Sequence, residues 1–312
     1  MRMNNMACDW KTGTCGEAGD ESTEWIDLGK PQKKVDLYYV TDPICSHCWA
    51  LEPVLRRFEE QYGEFFRFHT VMGGLLESWE GFGDAKNGIS QPADVELHWK
   101  EVGEHSRMPI DGSLWRLDPV LSSYPPSRVF KVIQIQDAAL ANEFLRRARE
   151  AVFAFNRNIG KDEILIELVE GLGLDGAAVV NEAEHGAGHS LLQEDFALAR
   201  ALGVRGFPTL IFLNEEKQGV KVVGARSLQQ YIEALKQVRN ETPTARPVPA
   251  LKELLPREKL LFSKELEVMY DLESDAVRAF VEKELPAEAY TSDALLGEWF
   301  IRYEEPANES MG

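Results

Sequence analysis

Cysteine is scarce in this chain, with four residues among 312, at positions 8, 15, 45 and 48. That scarcity excludes a disulfide-stapled scaffold. Histidine is also sparse, with six residues. No apolar run approaches the roughly 20 residues that cross a bilayer, so no membrane partner is expected. Basic residues are in deficit, 34 against 52 acidic ones, for a net charge of −18. Such a surface repels phosphate backbones and argues against nucleic acid as a main partner. Internal repeats and low-complexity tracts are missing too. What is present is 44% hydrophobic residues. That supports a packed core, and the length suits one large domain or two modest ones.

The first residues, Met1 to Asp9, lack the apolar stretch of a signal peptide. The expected location is therefore the cytoplasm. Thiols are mostly kept reduced there, so the cysteines are read for chemistry or metal before structural disulfides.

Residues 1–23 are polar and read as a flexible leader. From Val35 the pattern turns globular. Val35 to Val40 has the β-branched and aromatic content of a buried strand, and Thr41-Asp42-Pro43 breaks it. Trp49, Leu51, Val54, Leu55 and Phe58 then recur at helical spacing as far as about Tyr62, and Phe65 to Met72 reads as a second strand. Residues from about 74 to 190 read as a helical insertion, beginning with loops and short helices and followed by regular helices over 126–156 and 162–171. A helix over 191–202 leads to a strand entered through Pro208, a partner strand at Lys221-Val222-Val223 and a last helix capped by Ser227. Three prolines within 240–249 suggest a linker. Residues 250–305 then form a small C-terminal helical unit, marginal unless it packs on the first domain.

Chemistry concentrates at Cys45-Ser46-His47-Cys48, where the first strand hands over to the helix. Cys45 would face free N–H groups and the positive end of the helix dipole, which stabilise a thiolate. The two-residue spacing brings Cys48 into disulfide range. His47, when protonated, would stabilise the thiolate further and favour a reducible, oxidising pair. The competing readings are a pair of buried, inert cysteines or half a zinc site; for zinc, no second Cys/His pair at ligand spacing lies nearby in the sequence.

Two stretches, Val35 to Glu60 and Ala197 to Phe212, resemble the DsbA branch of the thioredoxin superfamily. The Cys-x-His-Cys form and Ala199-x-x-Leu202-Gly203-Val204-x-Gly206-x-Pro208-Thr209 carry that likeness. It implies an α/β thioredoxin fold over residues 24–240 with an inserted helical domain. It also implies a cis Pro208 whose loop faces the cysteines and receives an extended peptide. A narrower likeness lies in Asp42-Pro43-Ile44-Cys45-Ser46-His47-Cys48-Trp49-Ala50-Leu51-Glu52-Pro53-Val54 and in Phe262 to Leu272. These resemble the SpxH (YjbH) adapter family of Gram-positive bacteria. That resemblance covers residues 34 to 305 and implies a cytoplasmic adapter. Such an adapter binds the redox-responsive regulator Spx and promotes its degradation by the ClpXP protease. The alternative is a thiol-disulfide oxidoreductase, with Cys45 as nucleophile, Cys48 resolving, His47 tuning the thiolate and Pro208 positioning the substrate.

Members of the adapter family carry a His/Cys-rich leader associated with zinc. Here the leader holds Cys8 and Cys15 but no histidine, so a four-ligand site is incomplete and neither metal nor cofactor is expected. His185 and His189 read as part of a solvated loop. Trp79, Trp99 and Trp115 read as core or lid residues. Leu254 to Leu285 has the outline of a helix-turn-helix. Residues 250–305, however, carry 7 basic against 14 acidic side chains, which argues against reading DNA and leaves packing or protein docking.

Overall fold

The computed structural model describes residues 8–9, 14–15, 34–85 and 87–305. The leader expected over 1–23 lies outside them, apart from Cys8–Asp9 pairing antiparallel with Thr14–Cys15. The described residues from Lys34 onward belong to a single body.

Strand β1 (Val35–Thr41) is buried along nearly its whole length. Helix α1 (Ser46–Tyr62) returns the chain to β2 (Phe66–Met72), which pairs parallel to β1. Strand β3 (Thr209–Leu213) pairs antiparallel on the other side of β1, and β4 (Gly219–Val223) closes a hairpin with it. The sheet order is β2-β1-β3-β4. Strand β1 therefore lies inside the sheet with α1 emerging from its end, which explains its near-complete burial, Asp36 being paired with Arg67 and His69.

Between β2 and β3 lie α2 (Val95–Ser106), α3 (Tyr124–Gln134), α4 (Ala138–Arg149), α5 (Asp162–Glu170), α6 (Gly176–His185) and α7 (Gly188–Ala201). Asp137 caps α4 by accepting from the Ala139 and Leu140 N–H groups. Helix α4 continues into a wider π turn, Glu150–Ala154. The helix expected over 191–202 is α7, which begins at Gly188. One reading of the sequence needs correction here: His185 and His189 are not in a loop but terminate α6 and open α7. The corner between those helices is tight enough that a Cβ on Gly188 would lie 2.2 Å from the Ala183 carbonyl oxygen. Only glycine removes that clash.

Helix α8 (Leu228–Arg239) covers the sheet beside α1, and Phe58, Phe212, Tyr231 and Leu235 share one apolar cluster. The proline-rich segment that follows is a packed strap rather than a free linker. Arg246 N–H donates to the Gln61 carbonyl at 2.9 Å, and its guanidinium pairs with Glu64 at 2.7 Å.

The C-terminal unit is helical only in part. Helices α9 (Leu251–Glu258), α10 (Ser263–Tyr270) and α11 (Val277–Glu284) accompany strands β5 (Leu260–Phe262), β6 (Tyr290–Leu295) and β7 (Glu298–Tyr303). The strands form an antiparallel sheet in the order β5-β7-β6. Leu296 and Gly297, both at positive φ, turn β6 back into β7. Three-residue β5 is too short to show a period, which is why the sequence reads as helices alone. The unit has its own cluster around Leu254, Leu266 and Ile301. Leu260, Phe262 and Phe300 instead join the large core of the helical insertion. The unit is thus part of the main body.

Candidate functional site

Cys45 is the N-cap of α1, and its Sγ accepts from the Cys48 N–H at 3.2 Å. Cys45 and Cys48 form a disulfide with a Cα–Cα distance of 5.2 Å. Cys45 is 5% exposed and Cys48 0%. Any incoming sulfur nucleophile therefore meets Cys45 first. Four backbone N–H groups at the start of a helix lack intrahelical partners, so a Cys45 thiolate would sit where helix geometry favours negative charge.

Pro208 follows a cis Phe207–Pro208 peptide bond and is buried, and its carbonyl accepts from the Gly224 N–H at 2.8 Å. The neighbouring loop residues Arg205, Gly206 and Phe207 line a cavity of about 330 Å³ together with Cys45, Ser46 and His47. The Phe207 ring sits where a side chain on Gly73 would be, within 2.0 Å of that Cβ position. The remaining wall is largely apolar and includes Trp79, Phe82, Trp99 and Trp115. Trp99 and Trp115 are 2% exposed and meet edge to face at 5.1 Å. The three tryptophans thus belong to the core and to the cavity wall at once.

His47 is exposed, but its charge is disfavoured. Burial of the ring's inner side lowers its pKa first, and the charges of His98 and His105 lower it further. The His47 and His98 rings meet edge to face at 5.5 Å. This corrects the expectation that a protonated His47 assists the thiolate: its surroundings favour the neutral ring. For a histidine with a depressed pKa, stability is complete above the unfolded value near 6.5 and declines as pH falls below it. His47 should therefore titrate below pH 6.5 in the folded chain. His98→Gln should move that midpoint upward in an NMR titration of the ring protons, and an unmoved midpoint would refute the coupling.

Beneath the disulfide lies Asp42, fully buried, a residue the sequence marked only as part of a motif. Its carboxylate accepts from the Ile44 N–H at 3.0 Å, the Leu75 N–H at 2.7 Å and the Ser123 hydroxyl at 2.8 Å. Burial pushes its pKa up to about 6, against the pull of these donors. The Asp42 carbonyl accepts from the Cys45 N–H at 3.2 Å and from Arg149 Nη2 at 3.2 Å. Arg149 also pairs with Glu52 on α1.

A larger buried ionic cluster extends from there. Arg146 donates to Glu150 at 2.7 Å and grips both oxygens of Glu265 at 2.8 and 2.9 Å. Arg56 on α1 pairs with Glu258 and lies 3.6 Å from Glu265. Burial opposes the charge on Arg146, but Glu265, Glu150 and Glu52 outweigh it and raise its pKa. Burial likewise opposes the charge of Glu265, yet Arg146 and Arg56 hold its pKa low. This cluster is not anticipated from the sequence: Arg146 and Glu150 stand four residues apart, but the same stretch also carries Asn142, Glu143 and Arg147. Among the described residues, no group of three or more His, Cys, Asp or Glu side chains is arranged to hold a metal ion. No described helix is long and apolar enough to cross a membrane.

The thioredoxin family profile matches residues 38–233. In a solved structure from Streptomyces coelicolor, a protein named a probable DsbA oxidoreductase aligns with a TM-score of 0.52 at 18% identity, covering 69% of this chain and 94% of that one. At that identity the likeness is one of fold. A protein from Halalkalibacterium halodurans named ClpXP adapter protein SpxH is 29% identical over 282 residues, covering 90% of this chain and 91% of its own. A protein of the same name from Bacillus subtilis is 29% identical over 259 residues, covering 82% and 84%. The strand order, the Cys45–Cys48 pair capping α1 and the cis-proline loop beside it agree with these matches: the chain belongs to the thioredoxin family and resembles the SpxH adapters over most of its length.

Proposed function

We propose that this protein is a cytoplasmic adapter that binds Spx and promotes its degradation by the ClpXP protease. The observation that carries this reading is the reach of the likeness. Similarity to proteins named as ClpXP adapters covers 90% of the chain, well past residue 233 where the thioredoxin match ends. The adapter would hold Spx so that its C-terminus reaches the unfoldase. Its surface, with the strong acidic excess of the chain, suits protein docking better than nucleic acid.

A second reading rests on the disulfide itself. In it Cys45 attacks or is attacked, Cys48 resolves the mixed disulfide, and the Pro208 loop seats the partner chain. His47, held toward its neutral form, would tune the pair less than a charged imidazole would. The two readings separate in one experiment. Purified Spx and ClpXP are incubated with wild-type protein and with a Cys45→Ala, Cys48→Ala variant. Disulfide reduction of insulin is followed in parallel. The adapter reading expects Spx degradation to be at least several-fold faster with either form, while thiol turnover disappears in the variant. A wild-type protein that leaves Spx degradation unchanged and turns over disulfides quickly would sink it.

A further inference from the structure

We infer that the redox state of the Cys45–Cys48 pair and the docking of the C-terminal unit are coupled through Trp49. The inference concerns the first turn of α1 and holds whether or not the protein acts on Spx. Trp49 directly follows Cys48 and is fully buried. Its indole N–H donates to the Pro109 carbonyl at 3.0 Å. Its ring stacks on Phe153 at 5.7 Å and meets the edge of Phe262 at 5.7 Å and 85°. The Arg146 guanidinium lies over the same ring, 4.9 Å from its centre. Phe262 ends β5, and Arg146 is held by Glu265 of α10. The side chain next to the disulfide is therefore the seat on which the C-terminal unit rests.

The disulfide ties the N-cap to the first turn of α1. Reduction removes that tie, so the first turn and Trp49 are held only by the backbone bonds to the Cys45 carbonyl and by the contacts of the ring itself, and the position of Trp49 is set less tightly. Phe262 and Arg146 then lose a rigid surface to pack against. By linkage, whatever reduction takes from docking, undocking takes from the disulfide. The chemical step is thiol–disulfide exchange with glutathione. A glutathione thiolate attacks Cys45 Sγ, the S–S bond breaks, and its electron pair leaves on Cys48 Sγ, which takes a proton. A second glutathione thiolate displaces Cys45 from the mixed disulfide. One glutathione disulfide forms for each protein disulfide reduced.

The test is hydrogen exchange on the full chain, held fully oxidised or fully reduced in glutathione buffers. Amides of β5 and β7 should exchange about tenfold faster in the reduced form, while those of α6 stay unchanged. Reciprocally, Phe262→Leu should move the thiol–disulfide equilibrium constant about tenfold toward the thiols, or about 30 mV for this two-electron couple. Equal exchange of β5 and β7 in both states would overturn the inference. So would an unmoved equilibrium constant in a folded Phe262→Leu protein. Should that variant fail to fold, the wild-type exchange comparison decides alone.

Discussion

Arg146→Met is expected to cost about 3–5 kcal/mol of stability, the usual loss when one partner of a buried ion pair is removed. At about 2–4 °C per kcal/mol for a domain of this size, the melting temperature should fall by about 10 °C. The reason is what remains behind. Glu265 is 2% exposed and Glu150 6%, and both lose their closest guanidinium, leaving Glu265 with Arg56 at 3.6 Å and Glu150 with Arg147 at 3.1 Å. Methionine fills much of the volume, so the loss reads charge rather than cavity. Adding Glu265→Gln should restore part of it, because one uncompensated carboxylate is gone. Denaturant melts of the wild type, the single and the double variant check this. A single variant within 1 kcal/mol of wild type would mean that water reaches the cluster.

The sequence carried the elements on which the redox corner is built. Val35 to Val40, the helix after Cys45 and the strand behind Pro208 each have a clear period or a clear break, and the fold places them together. Less legible were features that depend on partners distant in sequence. Arg146 looks like one residue of a basic helix face until Glu265 arrives 119 positions later. His47 looks like a thiolate stabiliser until His98 and His105 come alongside it. Strand β5 has three residues and exists because β7 pairs with it. In each case local pattern gives the residue type, and tertiary contact decides its state.

A second large effect is expected from ending the chain after Pro249. The truncated protein should not fold to a stable form, although the thioredoxin-like sheet would be intact. It loses Phe262 and Phe300 from the main core, which takes Phe262 from Trp49 and Phe300 from Phe155. It also leaves Arg56 and Arg146 buried without Glu258 and Glu265. Arg107, which grips both oxygens of Glu298 at 2.8 Å and Glu267 at 2.9 Å, is released as well. Losing one such aromatic contact set costs about 3–5 kcal/mol, and one orphaned buried charge a similar amount. Together these equal or exceed the typical 5–15 kcal/mol stability of a domain. The expected result is aggregation, or loss of near-ultraviolet circular dichroism with helix retained. A truncated protein that melts cooperatively near the wild-type temperature would show that the C-terminal unit is an accessory.

The position of Phe262 also matters during synthesis. Chains emerge from the ribosome amino end first, at about 5–20 residues per second. Cys45, Cys48 and Trp49 leave the exit tunnel more than 200 residues before Phe262. For that interval, on the order of ten seconds or more, the nascent chain lacks the Phe262 contact on the Trp49 ring. In the finished molecule Cys48 is fully buried and Cys45 nearly so. The newborn chain is thus a different substrate for oxidants and chaperones from the mature one, and its last fifth acts as the closure of its first.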